Sequence, residues 1–161
     1  MHKTVILIRH AKSSWSLPLK DKLRPLNARG YQQAGNIAEQ LAHFPQPERI
    51  YCSTAIRTYT TCQLILEQIR ADESVLGLMD ELYDANASQL IRCISATPVN
   101  LNCVYLVGHN PGLDDLVRLL TGESISIKTS GWVALSINGE WEQFAPGTIK
   151  ILGQERTERL A

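Results

Sequence analysis

The stretch Thr4-Val5-Ile6-Leu7-Ile8-Arg9-His10 decides how this chain is read. A short apolar, β-branched run of this kind reads as a buried strand. The run closes on an arginine beside a histidine. In open α/β sheets, ligands collect outside the carboxyl ends of the strands. Histidine can act as a nucleophile on phosphorus, and arginine grips phosphate oxygens in a fork. Taken alone, the pair reads equally well as a strand end meeting solvent. Three later segments weigh against that.

Working outward, strand-like and helix-like segments alternate from residue 4 to about 120, the pattern of a parallel sheet covered by helices. After strand 4–9, a polar, proline-containing loop runs from 12 to 27, long for such a connection. A helix over 28–42 is expected from Tyr31, Ala34, Ala38 and Leu41, then a short strand 49–52. Helix 55–70 carries Tyr59, Cys62, Leu66 and Ile69 on one face. Strand 75–78 leads into Asp80-Glu81-Leu82-Tyr83-Asp84, followed by a short helix 88–95. Strand 103–107 is the clearest central strand, and helix 112–120 follows it. Two closing strands, 132–137 and 148–152, suggest an antiparallel edge with a hairpin signal at Asn138-Gly139. The tail 154–161 is charged and is expected to fray. The fold class is therefore α/β, a three-layer α/β/α sandwich with a mainly parallel central sheet, over a single domain 1–161.

A chain of 161 residues can bury about two-thirds of its unfolded surface. Its 16 basic and 16 acidic side chains cancel, which leaves no electrostatic footprint for nucleic acid or a membrane surface. Apolar runs fall far short of a transmembrane span, and the first is cut off at Arg9, too early for a signal-peptide core. A soluble, cytoplasmic monomer is the expectation. None of Cys52, Cys62, Cys93 and Cys103 falls in a C-x-x-C pair, and Cys62, Cys93 and Cys103 read as core packing. Cys52 with Arg57 resembles a cysteine-phosphatase loop, but only four residues separate them and none is glycine.

Gly108-His109-Asn110-Pro111-Gly112 lies between a strand and a helix. Asn110 as N-cap and Pro111 as first helical residue would aim free N–H groups and the helix dipole at an anion, with His109 at the rim. An incidental histidine in a tidy strand–turn–helix is the bland alternative. In Ser53-Thr54-Ala55-Ile56-Arg57, Ser53 or Thr54 would cap the next helix and set Arg57 in its first turn. An arginine there opposes the macrodipole, so a bound phosphate explains it better than helix stability does. Glu81 ends the third strand.

Two histidines, two arginines and a glutamate thus gather at the carboxyl ends of separate strands. Together they resemble the histidine phosphatase superfamily, formerly called phosphoglycerate mutase-like. Its nucleophile motif appears as Arg9-His10, its Ser-x-x-x-Arg segment as Ser53 to Arg57, its second Gly-His as Gly108-His109, and its acid position falls on Glu81. The usual glycine after Arg-His is Ala11 here. Lys12-Ser13-Ser14-Trp15, Arg24-Pro25-Leu26, the 108–112 segment and the short length resemble the SixA branch, phosphohistidine phosphatases. The interval between Glu81 and His109 has no room for the cap domain of larger relatives.

The resemblance implies a covalent phosphohistidine on His10, with Arg9, Arg57 and His109 holding the three equatorial oxygens. Glu81 would protonate the leaving group and later activate water. Lys12, Arg24 and Asn110 become candidate substrate contacts. No cofactor and no metal is called for, since neither a P-loop lysine motif nor an acidic ligand cluster accompanies the histidines. A zinc site using Cys52 and His109 has no ligand spacing behind it.

An uncapped mouth suits phosphohistidine in a protein, and imidazole leaves phosphorus more readily than an alkoxide. The alternative substrate is a small phosphate ester; a catalytically idle phosphate-binding module is the reading outside enzymology. Trp15, Leu17 and Leu19 either form a docking wall or pin the 12–27 loop to the body. His2 and His43 lack motif context and read as surface residues.

Overall fold

The computed structural model describes residues 2–155. Six strands form one sheet in the order β3-β2-β4-β1-β5-β6, with β1 at His2–Arg9, β2 at Arg49–Ser53, β3 at Leu76–Met79, β4 at Cys103–Gly108, β5 at Trp132–Asn138 and β6 at Ile149–Gln154. The first four are parallel; β5 runs antiparallel to β1 and β6 antiparallel to β5. The strand alternation of period two sorts the core onto two faces. Val5 and Leu7 pack with Val104, Leu106, Val133 and Leu135 on one side. Ile6 and Ile8 pack with Ile50, Cys52, Tyr105 and Val107 on the other.

Helices cover both faces. Helices α1 (Ala28–Ala34), α2 (Ile37–Gln40) and α3 (Ile56–Ile69) supply Ala34, Ile37, Cys62, Ile65 and Leu66 to the second cluster. Helices α4 (Ala87–Ser95) and α5 (Gly112–Thr121) supply Leu90, Ile94, Leu113, Leu116 and Val117 to the first. The result is the three-layer α/β/α sandwich without a cap domain. No helix among the described residues is long and apolar enough to cross a membrane.

Several details differ from expectation. The single helix over 28–42 is two short ones, because Gly35 closes α1 and Asn36 opens α2. Glycine in a helix interior costs about 1 kcal/mol relative to alanine, which favours a break at that point. The hairpin between β5 and β6 is not a two-residue turn: Gly139 does turn (φ 131°), but a 3₁₀ turn at Trp141–Gln143 is inserted. Trp141 is buried there and donates to the Leu101 carbonyl, which explains the insertion. The tail begins later than expected, since Gln154 pairs with Val133 and Glu155 N–H bonds Trp132. The remainder of that tail lies outside the described residues.

Two glycines bring loops against the sheet mouth. A Cβ on Gly30 would lie 2.1 Å from the Lys12 carbonyl oxygen, so α1 abuts the start of the long loop. A Cβ on Gly112 would lie 2.1 Å from the Ala85 carbonyl oxygen, so α5 abuts the segment after β3. Only glycine allows both approaches.

Candidate active site

The carboxyl ends of β1, β2 and β4 open into a cavity of about 420 Å³, its lining including Arg9, His10, Arg57 and His109. His10 follows β1 and is 7% exposed. Its Nδ1 lies 2.7 Å from the Ala11 carbonyl oxygen. A carbonyl only accepts, so Nδ1 carries the proton and Nε2 keeps its lone pair. Nε2 faces Arg57 Nε at 3.4 Å, and the ring centroid lies 5.2 Å from that of His109.

His109 follows β4 and bonds Ser53 Oγ through Nε2 at 2.6 Å, while Nδ1 faces Arg57 Nη2 at 3.4 Å. A hydroxyl donates as readily as it accepts. By rotating its proton, Ser53 lets His109 present Nδ1–H to an oxyanion without losing this bond. Burial, then the charges of Arg57, Arg9 and Arg24, push the His10 pKa down to about 4. Burial, then His10 and Arg57, push His109 down to about 3. Both imidazoles are neutral at pH 7.

Arg57 sits in the first turn of α3 as expected, but the cap does not. Ala55 takes the N-cap position with no side-chain cap, while Ser53 Oγ accepts from Ala55 N–H and also serves His109. Helix α5 begins at Gly112 as expected, but Pro111 rather than Asn110 takes its N-cap. Its first amides are not free: Leu113 N–H bonds His109 carbonyl, Asp115 N–H bonds Pro111 carbonyl, and Asp114 N–H bonds Asn110 Oδ1. The expected cradle of backbone amides is therefore largely spent within the turn, so the donors left to meet an anion are side chains. Arg9 Nη1 donates to the Ile127 carbonyl, whereas Arg9 Nε is a buried donor with no partner among the described residues. Such an orphan costs about 1–3 kcal/mol, which an arriving oxyanion would offset.

Lys12, Arg24 and Asn110 also line the cavity. Asn110 is held at both ends, its Nδ2 donating to Ile127 carbonyl. Arg24 is not a solvated arginine: it is 6% exposed, pairs with Asp21 at 2.9 Å, and lies 3.5 Å beneath the Trp15 ring centroid.

Glu81 is elsewhere. It occupies the 3₁₀ turn Asp80–Leu82 after β3, is exposed, and lines a separate groove with Arg49, Arg92 and Cys93. Leu82 is 1% exposed and anchors that turn in the core, which sets Glu81 off the cavity. The carboxylates that do line the cavity are Asp21 and Asp84. Sequence reasoning missed both, together with Ser13, Tyr83 and the His109 partner role of Ser53. The available signals were that Asp21 is the sole carboxylate of the 12–27 loop, and that Asp84 lies just past the expected acid position.

Cys52 is fully buried and donates to the Ser53 carbonyl, away from the cavity lining. Cys62 and Cys103 are buried and Cys93 half-buried. Among the described residues no three His, Cys, Asp or Glu side chains gather to hold a metal ion. His2 and His43 are exposed.

Residues 5–96 match the model of the histidine phosphatase superfamily, branch 1. An uncharacterized chloroplastic protein of Arabidopsis thaliana is 32% identical, spanning 94% of this chain and 76% of its own length. The chain belongs to the histidine phosphatase superfamily. A candidate SixA phosphohistidine phosphatase from Agrobacterium tumefaciens superposes with a TM-score of 0.81 at 27% identity, covering 96% of this chain and 98% of that one. A candidate SixA from Nakamurella reaches 0.86 at 23% identity, covering 99% and 98%. Within the superfamily, the chain falls in the SixA-type branch. The same fold, at a TM-score of 0.70 and 16% identity over 94% and 98% of the chains, occurs in a mycobacterial glucosyl-3-phosphoglycerate phosphatase.

Proposed function

We propose that this chain is a phosphatase that works through a phosphohistidine on His10 and removes phosphate from phosphohistidine in proteins. The observation that carries this reading is the neutral His10. Its Nε2 lone pair faces the arginine-lined cavity while Nδ1 is tied to a carbonyl. At an effective dielectric of 20, a unit charge 4 Å away is worth roughly 4 kcal/mol, so the surrounding arginines oppose imidazolium and favour the nucleophile.

In the first step the Nε2 lone pair forms a bond to phosphorus as the bond to the leaving group breaks. Arg9, Arg57 and His109 hold the equatorial oxygens and stabilise the charge that develops on them. The leaving group departs with a proton, and Asp84 at the exposed rim takes the acid role first expected of Glu81. Water then attacks phosphorus while giving a proton to Asp84, the bond to Nε2 breaks, and phosphate leaves with His10 neutral and Asp84 protonated again. Neither step calls for a metal.

Two features favour a protein substrate. There is no cap over the cavity, and its lining includes Trp15 at 78% exposure, with Leu17 exposed nearby in the same loop, which supports the docking-wall reading of the 12–27 loop. An imidazole leaving group also asks little of Asp84. The second reading, a small phosphate ester, is favoured by the fold shared with the glucosyl-3-phosphoglycerate phosphatase.

The deciding experiment compares turnover on a phosphohistidine protein, a phosphohistidine peptide and a panel of sugar phosphates. A higher kcat/KM on the protein than on every sugar phosphate is the expected result. A sugar phosphate ahead of both phosphohistidine substrates would establish the second reading instead.

A further inference from the structure

Asp21 holds more of the cavity together than any residue expected from sequence. It opens a one-turn 3₁₀ segment, Asp21–Leu23, within the long loop. Its Oδ1 accepts from Arg24 Nε at 3.1 Å and Arg24 Nη2 at 2.9 Å. Its Oδ2 accepts from Arg57 Nη2 at 2.9 Å and from the Tyr83 hydroxyl at 2.5 Å. Its backbone carbonyl accepts from Arg57 Nη1 at 2.7 Å. A carboxylate so supplied with donors is held ionised: the Tyr83 hydroxyl, then Arg24 and Arg57, lower its pKa strongly. It is a poor proton donor for any leaving group.

A guanidinium offers two forked edges, Nη1/Nη2 and Nε/Nη2. Asp21 takes the first edge of Arg57 completely, with its carbonyl on Nη1 and its carboxylate on Nη2. The remaining edge faces the two histidines, Nε toward His10 Nε2 and Nη2 toward His109 Nδ1, both at 3.4 Å. An equatorial phosphoryl oxygen would sit between those nitrogens. We propose that Asp21 is a positioning residue: by occupying the outer edge of Arg57, it presents the Nε/Nη2 edge to the phosphoryl group in the transition state. This rests on the reading that the cavity transfers a phosphoryl group to His10, whatever the natural substrate.

The role separates kcat from binding. Attraction of an anion into the cavity depends on net positive charge, and Asp21 subtracts from it. Transition-state stabilisation depends on which edge points inward, and a misplacement of about 1 Å can cost about 100-fold. Asp21→Asn should therefore lower kcat on p-nitrophenyl phosphate by about 10- to 100-fold while tungstate binds as tightly as before, or more tightly. Asp21→Glu keeps the charge but moves the carboxylate, and should lower kcat too; a purely electrostatic role would spare it. In an Arg57→Lys background, where no edge exists to select, Asp21→Asn should change kcat less than about twofold, the non-additivity of side chains acting as a unit.

The Arg57 Nε–H resonance gives a readout that does not need turnover. Assigned by its loss in Arg57→Lys, it should shift when tungstate is added to the wild-type protein and shift much less in Asp21→Asn. An equal shift in both proteins, or additive losses of kcat in the double variant, would overturn the positioning role. If the wild-type protein bound tungstate yet turned over neither a phosphohistidine substrate nor a phosphate ester, the phosphatase reading would fail, while the resonance would still decide the edge assignment.

Discussion

The two walls of the cavity are built differently. The inner wall consists of Arg9, His10, Arg57 and His109, set at strand ends or a first helical turn and backed by Ser53, which is fully buried. The outer wall is the 12–27 loop, where Trp15, Leu17, Leu19 and Leu23 are all more than 40% exposed. One wall is fixed by the sheet and carries the bond-making groups. The other is held in shape by the Arg24–Asp21 pair and the Ser13–Leu26 bridge, is tied to the body by Asp21 on Arg57, and faces the mouth of the cavity. On the proposed function, chemistry belongs to the first wall and substrate choice to the second.

Substitutions should respect that division. The largest effect is expected from His10→Ala, which should abolish turnover on every substrate while leaving the far-ultraviolet circular dichroism unchanged. Arg9→Ala comes next, at about 2–4 kcal/mol of transition-state stabilisation, the usual loss for a preorganised donor. Its check is kcat/KM together with tungstate affinity, both of which should fall. If Arg9→Ala hydrolysed phosphate esters at the wild-type rate, the inner wall would not be the catalytic one.

Acid should separate activity from stability. His10 has a pKa near 4 against about 6.5 for a free imidazole. The folded nucleophile therefore stays unprotonated as pH falls, and kcat/KM on the folded protein should hold from pH 7 to near 5, declining only through about 4. Stability runs the other way. Between about 6.5 and 4 the unfolded chain takes up protons at His10 and His109 that the folded chain refuses, so stability is full above 6.5 and falls with pH. Thermal melts across that range should show Tm dropping while kcat/KM stays flat. An activity limb near 6.5 would place His10 in an ordinary aqueous setting.

The smallest effect tests the outer wall. Trp15→Ala should leave p-nitrophenyl phosphate turnover within about threefold, as an exposed side chain should, and raise KM for a phosphohistidine protein. Equal behaviour toward both substrates would return Trp15 to the role of pinning the loop, where it already lies over Arg24.

The same division explains what could be read from sequence. Arg9, His10, Arg57 and His109 were legible because each follows directly from a strand or opens a helix, and a parallel sheet delivers such positions to one edge. The two-faced core was legible from alternation within β1. The break between α1 and α2 was hidden because apolar spacing runs through Gly35-Asn36 undisturbed. Glu81 was misplaced because a 3₁₀ turn redirects side chains residue by residue, and burial of Leu82 settles the turn. Asp21 went unseen because the partners that bring it to the cavity, Arg57 and Tyr83, lie 36 and 62 residues away, and its pairing with nearby Arg24 reads only as a local loop contact.

The central claim is that phosphate passes through a covalent bond to His10. Rapid quench of the protein with phosphorus-labelled substrate, followed by peptide mapping, tests it directly. The expected result is an acid-labile, base-stable phosphoryl adduct on His10, formed and consumed at rates compatible with turnover and missing from His10→Ala. Label on Cys52 or on any other residue, or turnover with no labelled protein at any time point, would contradict it.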